Sequence, residues 1–149
     1  MKTTSEEIRE IIAANKPGLM KISPEVASKK HGPDTWSKKE ILGHLIDSAS
    51  NNHQRFVRAA QNIAGDFPPY NQNRWVEVQS YNEMNWIDLV EFFSQYNLHL
   101  CRVIDSLPGE VLNNPCNIGK ENLVTLEFVI EDYLRHLGHH IKQILEPSP

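Results

Sequence analysis

The chain has 149 residues and a mass of 17.1 kDa, 40% hydrophobic and 23% charged, which suits a single domain over residues 1–149. Seven Gly and nine Pro scattered without period exclude collagen-like and low-complexity chains, and the apolar content excludes disorder. A formal charge of −4, from 15 Lys and Arg against 19 Asp and Glu, leaves no basic excess to release phosphate counterions, so nucleic acid is not an expected partner.

Period 3.6 dominates wherever apolar residues cluster, and no alternating pattern runs for more than a few residues. A first helix is expected from near Ser5, whose hydroxyl can cap it, with Ile8, Ile11 and Ile12 on one face. Pro17-Gly18 should break or kink it before Leu19, Met20 and Ile22 resume the apolar face. Ser37-Lys-Lys-Glu40 is a capping box, with Trp36 and Ile41 at the two positions of a hydrophobic staple. It starts a second helix from about Lys38 to about Ala64, ending at Gly65, whose core stripe is Ile41, Leu42, Leu45, Ala49, Phe56, Ala60 and Ile63.

Residues 65–84 are expected to be the longest irregular segment, with Phe67-Pro-Pro-Tyr70 extended and Trp75 and Tyr81 as aromatics on a polar loop. Loops of this length in a compact domain usually cover a site or make a dimer contact. A third helix is capped near Asn85, carries Leu89, Phe92, Phe93, Tyr96, Leu100, Val103 and Ile104, and stops at Leu107-Pro108-Gly109. A second loop crosses Asn113 to Lys120, and a fourth helix runs from about Leu123 to Leu145. Four such helices imply an all-α, antiparallel four-helix bundle.

The amino terminus lacks the apolar core of a secretory signal, and no stretch approaches the roughly 18 apolar residues of a membrane span. Cys101 sits among Leu98, Leu100, Val103 and Ile104, where a small buried thiol is the ordinary reading; a disulfide to Cys116 stays open. The expectation is a soluble, cytoplasmic protein.

Seven histidines are the unusual feature of the composition. His136 and His140, four apart, share one face of the fourth helix at the border of its core stripe, Val129, Tyr133, Leu137, Ile141 and Ile144. Asp132 and Gln143 continue that border. The second helix has a matching seam of His44, Asp47, Ser48, Asn51 and Arg55. If the two helices are neighbours, His44 can join the pair as three neutral nitrogen ligands on one divalent ion, leaving a position open. Each part also has a plainer reading. HxxxH pairs occur in many helices that bind no metal, His44 can be a hydrogen-bonded core histidine, and the rest of the seam can be a polar helix edge. Asp132 is either solvated or a partner that orients His136. His139 reads as surface, His31 and His53 lack partners, and His99 reads as packing.

Trp36-Ser-Lys-Lys-Glu-Ile-Leu-Gly-His44-Leu-Ile-Asp47-Ser-Ala-Ser-Asn51 resembles the second-helix signature of the DinB/YfiT-like metalloenzymes. Pro69-Tyr70-Asn-Gln-Asn-Arg-Trp75 looks like the loop that follows it in the YfiT branch. Thr125-Leu-Glu-Phe and Tyr133-Leu-Arg-His136-Leu-Gly-His139-His140-Ile-Lys-Gln-Ile144 resemble the family's last helix. The three motifs fall in order across nearly the whole chain. The resemblance implies an up-down-down-up four-helix bundle, commonly a homodimer, with a nickel or zinc site carried onto His44, His136 and His140. The YfiT branch resembles bacillithiol transferases, and related members use mycothiol or glutathione.

The leading expectation is therefore a metal-dependent transferase that joins a low-molecular-weight thiol, bacillithiol-like, to an electrophile. Asp47 and Asn51 are candidates to support His44, and Arg55 with Arg58 to hold acidic groups of the thiol. The 65–84 loop is expected to cover the site. The alternatives are a metal-dependent hydrolase that generates hydroxide at the ion, though no general base stands at fixed spacing from the histidines, and a non-catalytic metal- or ligand-binding stress protein. A structural ion would be closed by a fourth protein ligand such as Asp132; a catalytic one keeps an exchangeable position.

Overall fold

The computed structural model describes residues 1–61 and 65–147. Four long helices make the frame: α1 (Thr4–Met20), α3 (Lys38–Ala60), α5 (Trp86–Asp105) and α6 (Leu126–Leu145). Two short ones, α2 (Pro24–Ser28) and α4 (Gln72–Gln79), lie between them.

The start of α1 differs from expectation. Thr3, not Ser5, is the cap: its hydroxyl accepts from the Glu6 N–H at 3.3 Å, and the Glu6 carboxylate accepts from the Thr3 N–H at 2.7 Å. Ser5 is buried inside the helix and donates to Asp105 at the far end of α5. Nor does Pro17 end the helix. Leu19, 1% exposed, anchors the last turn, and the Trp86 indole donates to its carbonyl at 2.8 Å, so tertiary contacts override the proline's missing donor. At α3 the predicted capping box is present, with Ser37 and Glu40 exchanging bonds. That helix ends at Ala60, and the Ile63 of its predicted stripe lies outside the described residues.

Side-chain pairs set the directions. Arg9 meets Asp105 and Lys16 meets Glu91, so α1 and α5 are antiparallel. Gly18 faces Leu145 and Gly138 faces Ile11, so α1 and α6 run together. The Lys38 ammonium at the start of α3 reaches the Ile144 carbonyl at the end of α6, while Phe56 meets Tyr133, so these two are antiparallel. His53 contacts both Tyr96 and His99, leaving α3 and α5 parallel. The order is up-down-down-up, as the resemblance implied. Each long helix packs against two others, and α3 lies between α5 and α6. The core is the predicted one for α6: Val129, Tyr133, Leu137, Ile141 and Ile144 are all buried. From α3, Ile41, Leu42, Leu45, Ala49 and Phe56 join it. On α5, however, Phe92 is 51% exposed and Tyr96, Val103 and Ile104 only half-buried.

The predicted 65–84 loop is largely structured. Asn71 caps α4 through the Arg74 N–H, and a 3-10 turn follows at Tyr81–Glu83. A small sheet pins the connections at one end of the bundle. Its central strand β2 (Pro115–Asn117) pairs in parallel with β1 (Gly65–Asp66) and antiparallel with β3 (Val124–Thr125). Thr125 then caps α6, three residues later than the periodicity alone suggested. Strands of two or three residues are too short for a period-2 pattern to reveal. Among the described residues, no helix is long and apolar enough to cross a membrane.

Candidate metal centre

Capping at Ser37 fixes where α3 begins and hence the direction in which His44 points, two turns in. His44 is 1% exposed, and the Trp36 ring leans on it at 4.9 Å between centroids. Gly43 makes room on the opposite side. A Cβ there would stand 2.2 Å from the Tyr81 ring, which packs directly on the helix backbone.

The antiparallel packing of α3 on α6 brings His44, His136 and His140 together. One ligating nitrogen from each lies within 4.8 Å of the others, and the ring centroids stand 4.6–5.0 Å apart. The His44 and His136 Nε2 atoms approach to 3.1 Å. Two nitrogens bound at about 2.1 Å to one tetrahedral ion stand ~3.4 Å apart, so this pair is close to the bite of a shared ion.

Outer partners orient two of the rings. His140 Nδ1 is 2.8 Å from Gln143 Oε1, which can only accept, so the proton sits on Nδ1 and the Nε2 lone pair is free. His136 Nδ1 faces the Ser48 hydroxyl at 3.5 Å. Burial, followed by the neighbouring rings, pushes His44 down to about 3. Burial likewise takes His136 to about 4 and lowers His140. All three are thus neutral near pH 7, the form in which imidazole binds a metal. The donor set fits a borderline divalent ion such as nickel or zinc. No carboxylate or thiol joins the three histidines among the described residues.

The other predicted candidates lie further out. Asp47, 2% exposed, touches none of the three histidines. Its Oδ1 accepts from the Tyr81 hydroxyl at 2.6 Å and the Gln79 amide at 2.8 Å, and its Oδ2 is buried without a partner. Burial raises the Asp47 carboxyl and the Tyr81 phenol above their ordinary values. Asn51 bonds the backbone carbonyl of Asp47 within its own helix. Asp132 is exposed and pairs with Arg135 at 3.1 Å, so the partner of His136 is Ser48 instead. His139 is exposed beside His140, as predicted. Ser48 and Gln143 were visible on the predicted seam and border, but only helix pairing reveals which ring each one meets.

A cavity of about 160 Å³ opens against His136 and is lined by Ser48, Asn52, Arg55, Tyr70 and Asp132. The segment before α4 therefore flanks the site through Tyr70, whose ring also meets Trp75 at 5.1 Å. Burial lowers the pKa of Arg55 and raises that of Tyr70. Arg58 turns away to the surface, where its guanidinium lies over Phe67. A larger cavity of about 580 Å³ lies between α3, α4 and α5, walled by Ile46, Trp75, Phe92 and Tyr96, and none of the three histidines lines it.

One expectation about an isolated residue changes, and the reading of Cys101 as a buried thiol holds. His53 does have partners, since its Nδ1 lies 3.1 Å from the Tyr96 hydroxyl and its ring meets His99. Cys101 and Cys116 are both free and buried, with burial raising each thiol, Cys101 to about 11.

Comparison with known proteins agrees with this architecture. YfiT from Bacillus subtilis, described as "a probable metal-dependent hydrolase with an unusual four-helix bundle topology", has the same fold with a TM-score of 0.83 at 18% identity. The match covers 95% of this chain and 81% of that one. The mycothiol-dependent maleylpyruvate isomerase matches with a TM-score of 0.78 at 9% identity, over 95% of this chain and 59% of its own. No curated protein matches the sequence. The family model of the DinB superfamily matches residues 17–144, and the chain belongs to that superfamily.

Proposed function

We propose that this protein is a metal-dependent enzyme in which His44, His136 and His140 hold a divalent ion, nickel or zinc, and that it transfers a low-molecular-weight thiol to an electrophile. The observation that carries the reading is the convergence of three neutral imidazoles, with no fourth protein ligand among the described residues, beside a cavity that reaches His136. A closed structural site would use four. The descriptions of the two fold relatives, one a probable metal-dependent hydrolase and the other a mycothiol-dependent isomerase, support the coarser reading of a metal-dependent enzyme, and the second favours a thiol co-substrate.

When bound, the ion would supply Lewis acidity, lowering the pKa of a coordinated thiol so that the nucleophilic thiolate prevails near neutral pH. The chain's own residues do the rest. Gln143 keeps the Nδ1 proton of His140 outward, Ser48 faces His136 Nδ1, and Trp36 shields His44 from water. Tyr70 and Asn52 bound the space in which the thiol's carrier would lie. Hydrolysis has less support, because it calls for a general base. Asp47 touches none of the three histidines and lines the other cavity, and Asp132 is exposed and paired with Arg135. The homodimer belongs to the same proposal, with the partly exposed Trp75 and Phe92 offering apolar contact surface.

Nickel- or zinc-loaded protein is expected to accelerate the reaction of a bimane electrophile with a small thiol, and chelation or His44→Gln is expected to cost roughly 100-fold or more. Undiminished turnover in the metal-stripped protein would falsify the mechanism. Ester hydrolysis without thiol dependence would replace it with the hydrolytic reading.

A further inference from the structure

Arg55 is a half-buried cation that makes no direct ion pair among the described residues. It lies on α3 and lines the cavity that opens on His136. Asp132 lines the same cavity, but its carboxylate is taken by Arg135. Burial costs this guanidinium hydration that the charge of Asp132, which makes no direct contact with it, only partly offsets, whereas an anion bound directly to it would replace the lost hydrogen bonds. Its planar fork suits a carboxylate gripped by two parallel N–H donors.

The position sets a length. Seven residues separate Ser48, beside His136, from Arg55 on the same helix, a rise of roughly 10 Å, and helical side chains lean back toward the N-terminus. We propose that Arg55 is a specificity residue that binds a carboxylate of the thiol co-substrate, at the far end of the cavity from the three histidines. This inference rests on the proposed thiol reading and adds to it that the thiol is an acid, with its carboxylate several bonds from the sulfur. Neutral thiols, or thiols too short to span the cavity, would then be poor co-substrates.

Glutathione and its diethyl ester serve as probes, since they differ in their carboxylates and share the sulfur. Calorimetric titration of each into zinc-loaded and chelator-treated protein, for the parent, Arg55→Gln and Arg55→Lys, separates the contributions. A hydrogen-bonded ion pair of this kind predicts a preference for the free acid of roughly 10- to 100-fold in the parent. Arg55→Gln should erase that preference while leaving ester binding and the melting midpoint unchanged, and Arg55→Lys should keep part of it. The preference should persist without metal, because it depends on the guanidinium. Equal affinities for acid and ester in the parent, no binding of the acid at millimolar concentration, or a preference that survives Arg55→Gln would overturn the assignment. If the preference behaves as stated but zinc changes the affinity of neither probe, the Arg55 site stands and the metal–thiol reading fails.

Discussion

Gly43 and Tyr81 illustrate how one missing side chain positions a polar group against the far face of α3. The Tyr81 ring occupies the space of a Cβ on Gly43, and its hydroxyl thereby reaches Asp47 at 2.6 Å. Gly43→Ala cannot be absorbed by a side-chain rotation alone, because ring and helix backbone are already in contact. It is expected to destabilise the protein by about 1–3 kcal/mol, measured by urea unfolding, despite alanine's better helix propensity. A neutral or stabilising result would mean that Tyr81 is free to move. None of this was legible in the sequence, where Gly43 is one residue of a helical motif and Tyr81 an aromatic on a presumed loop. His136 and His140 were legible, because a spacing of four on a helix with a clear apolar stripe fixes their face. His44 needed the pairing of two helices, which periodicity does not contain; the family resemblance supplied it.

At the scale of elements, local chemistry predicted the starts of α3 and α5 and missed those of α1 and α6. Ser37 and Asn85 are the caps their neighbours suggest. At α1, both Thr3 and Ser5 can cap, and the choice falls to Thr3 because Ser5 is drawn inward to Asp105, a hundred residues away. Helix α4 was missed because it has a single buried residue, Val76, and lies beside α3 without an apolar stripe of its own. The Ser37 cap has a measurable role. Its hydroxyl accepts from the Glu40 N–H and donates to Asn82 Oδ1 at 2.6 Å, tying the start of α3 to the turn after α4. Ser37→Ala should cost about 1–2 kcal/mol and lower the urea midpoint, with Ser37→Asp recovering the capping part. An unchanged midpoint in Ser37→Ala would show that the helix start is held by Trp36 and Ile41 instead.

For the molecule as a whole, the burial that keeps the three histidines neutral makes the metal-free fold sensitive to acid. His44 sits at about 3 and His136 at about 4, below the ordinary 6.5. Between those values the unfolded chain holds more protons than the folded one, so this contribution is complete above about pH 6.5 and is lost as the pH falls toward about 4. Chelator-treated protein should therefore lose stability between about pH 7 and about pH 5, and His44→Gln should flatten the dependence. Equal slopes for parent and variant would mean that His44 titrates normally. The most direct measurement is the metal content, by elemental analysis, of untagged protein incubated with nickel or zinc, beside His44→Gln, His136→Gln and His140→Gln. The account predicts close to one ion per parent chain and a large loss in each variant, with helical content retained. A parent that takes up no ion, or variants that bind as well as the parent, would contradict it.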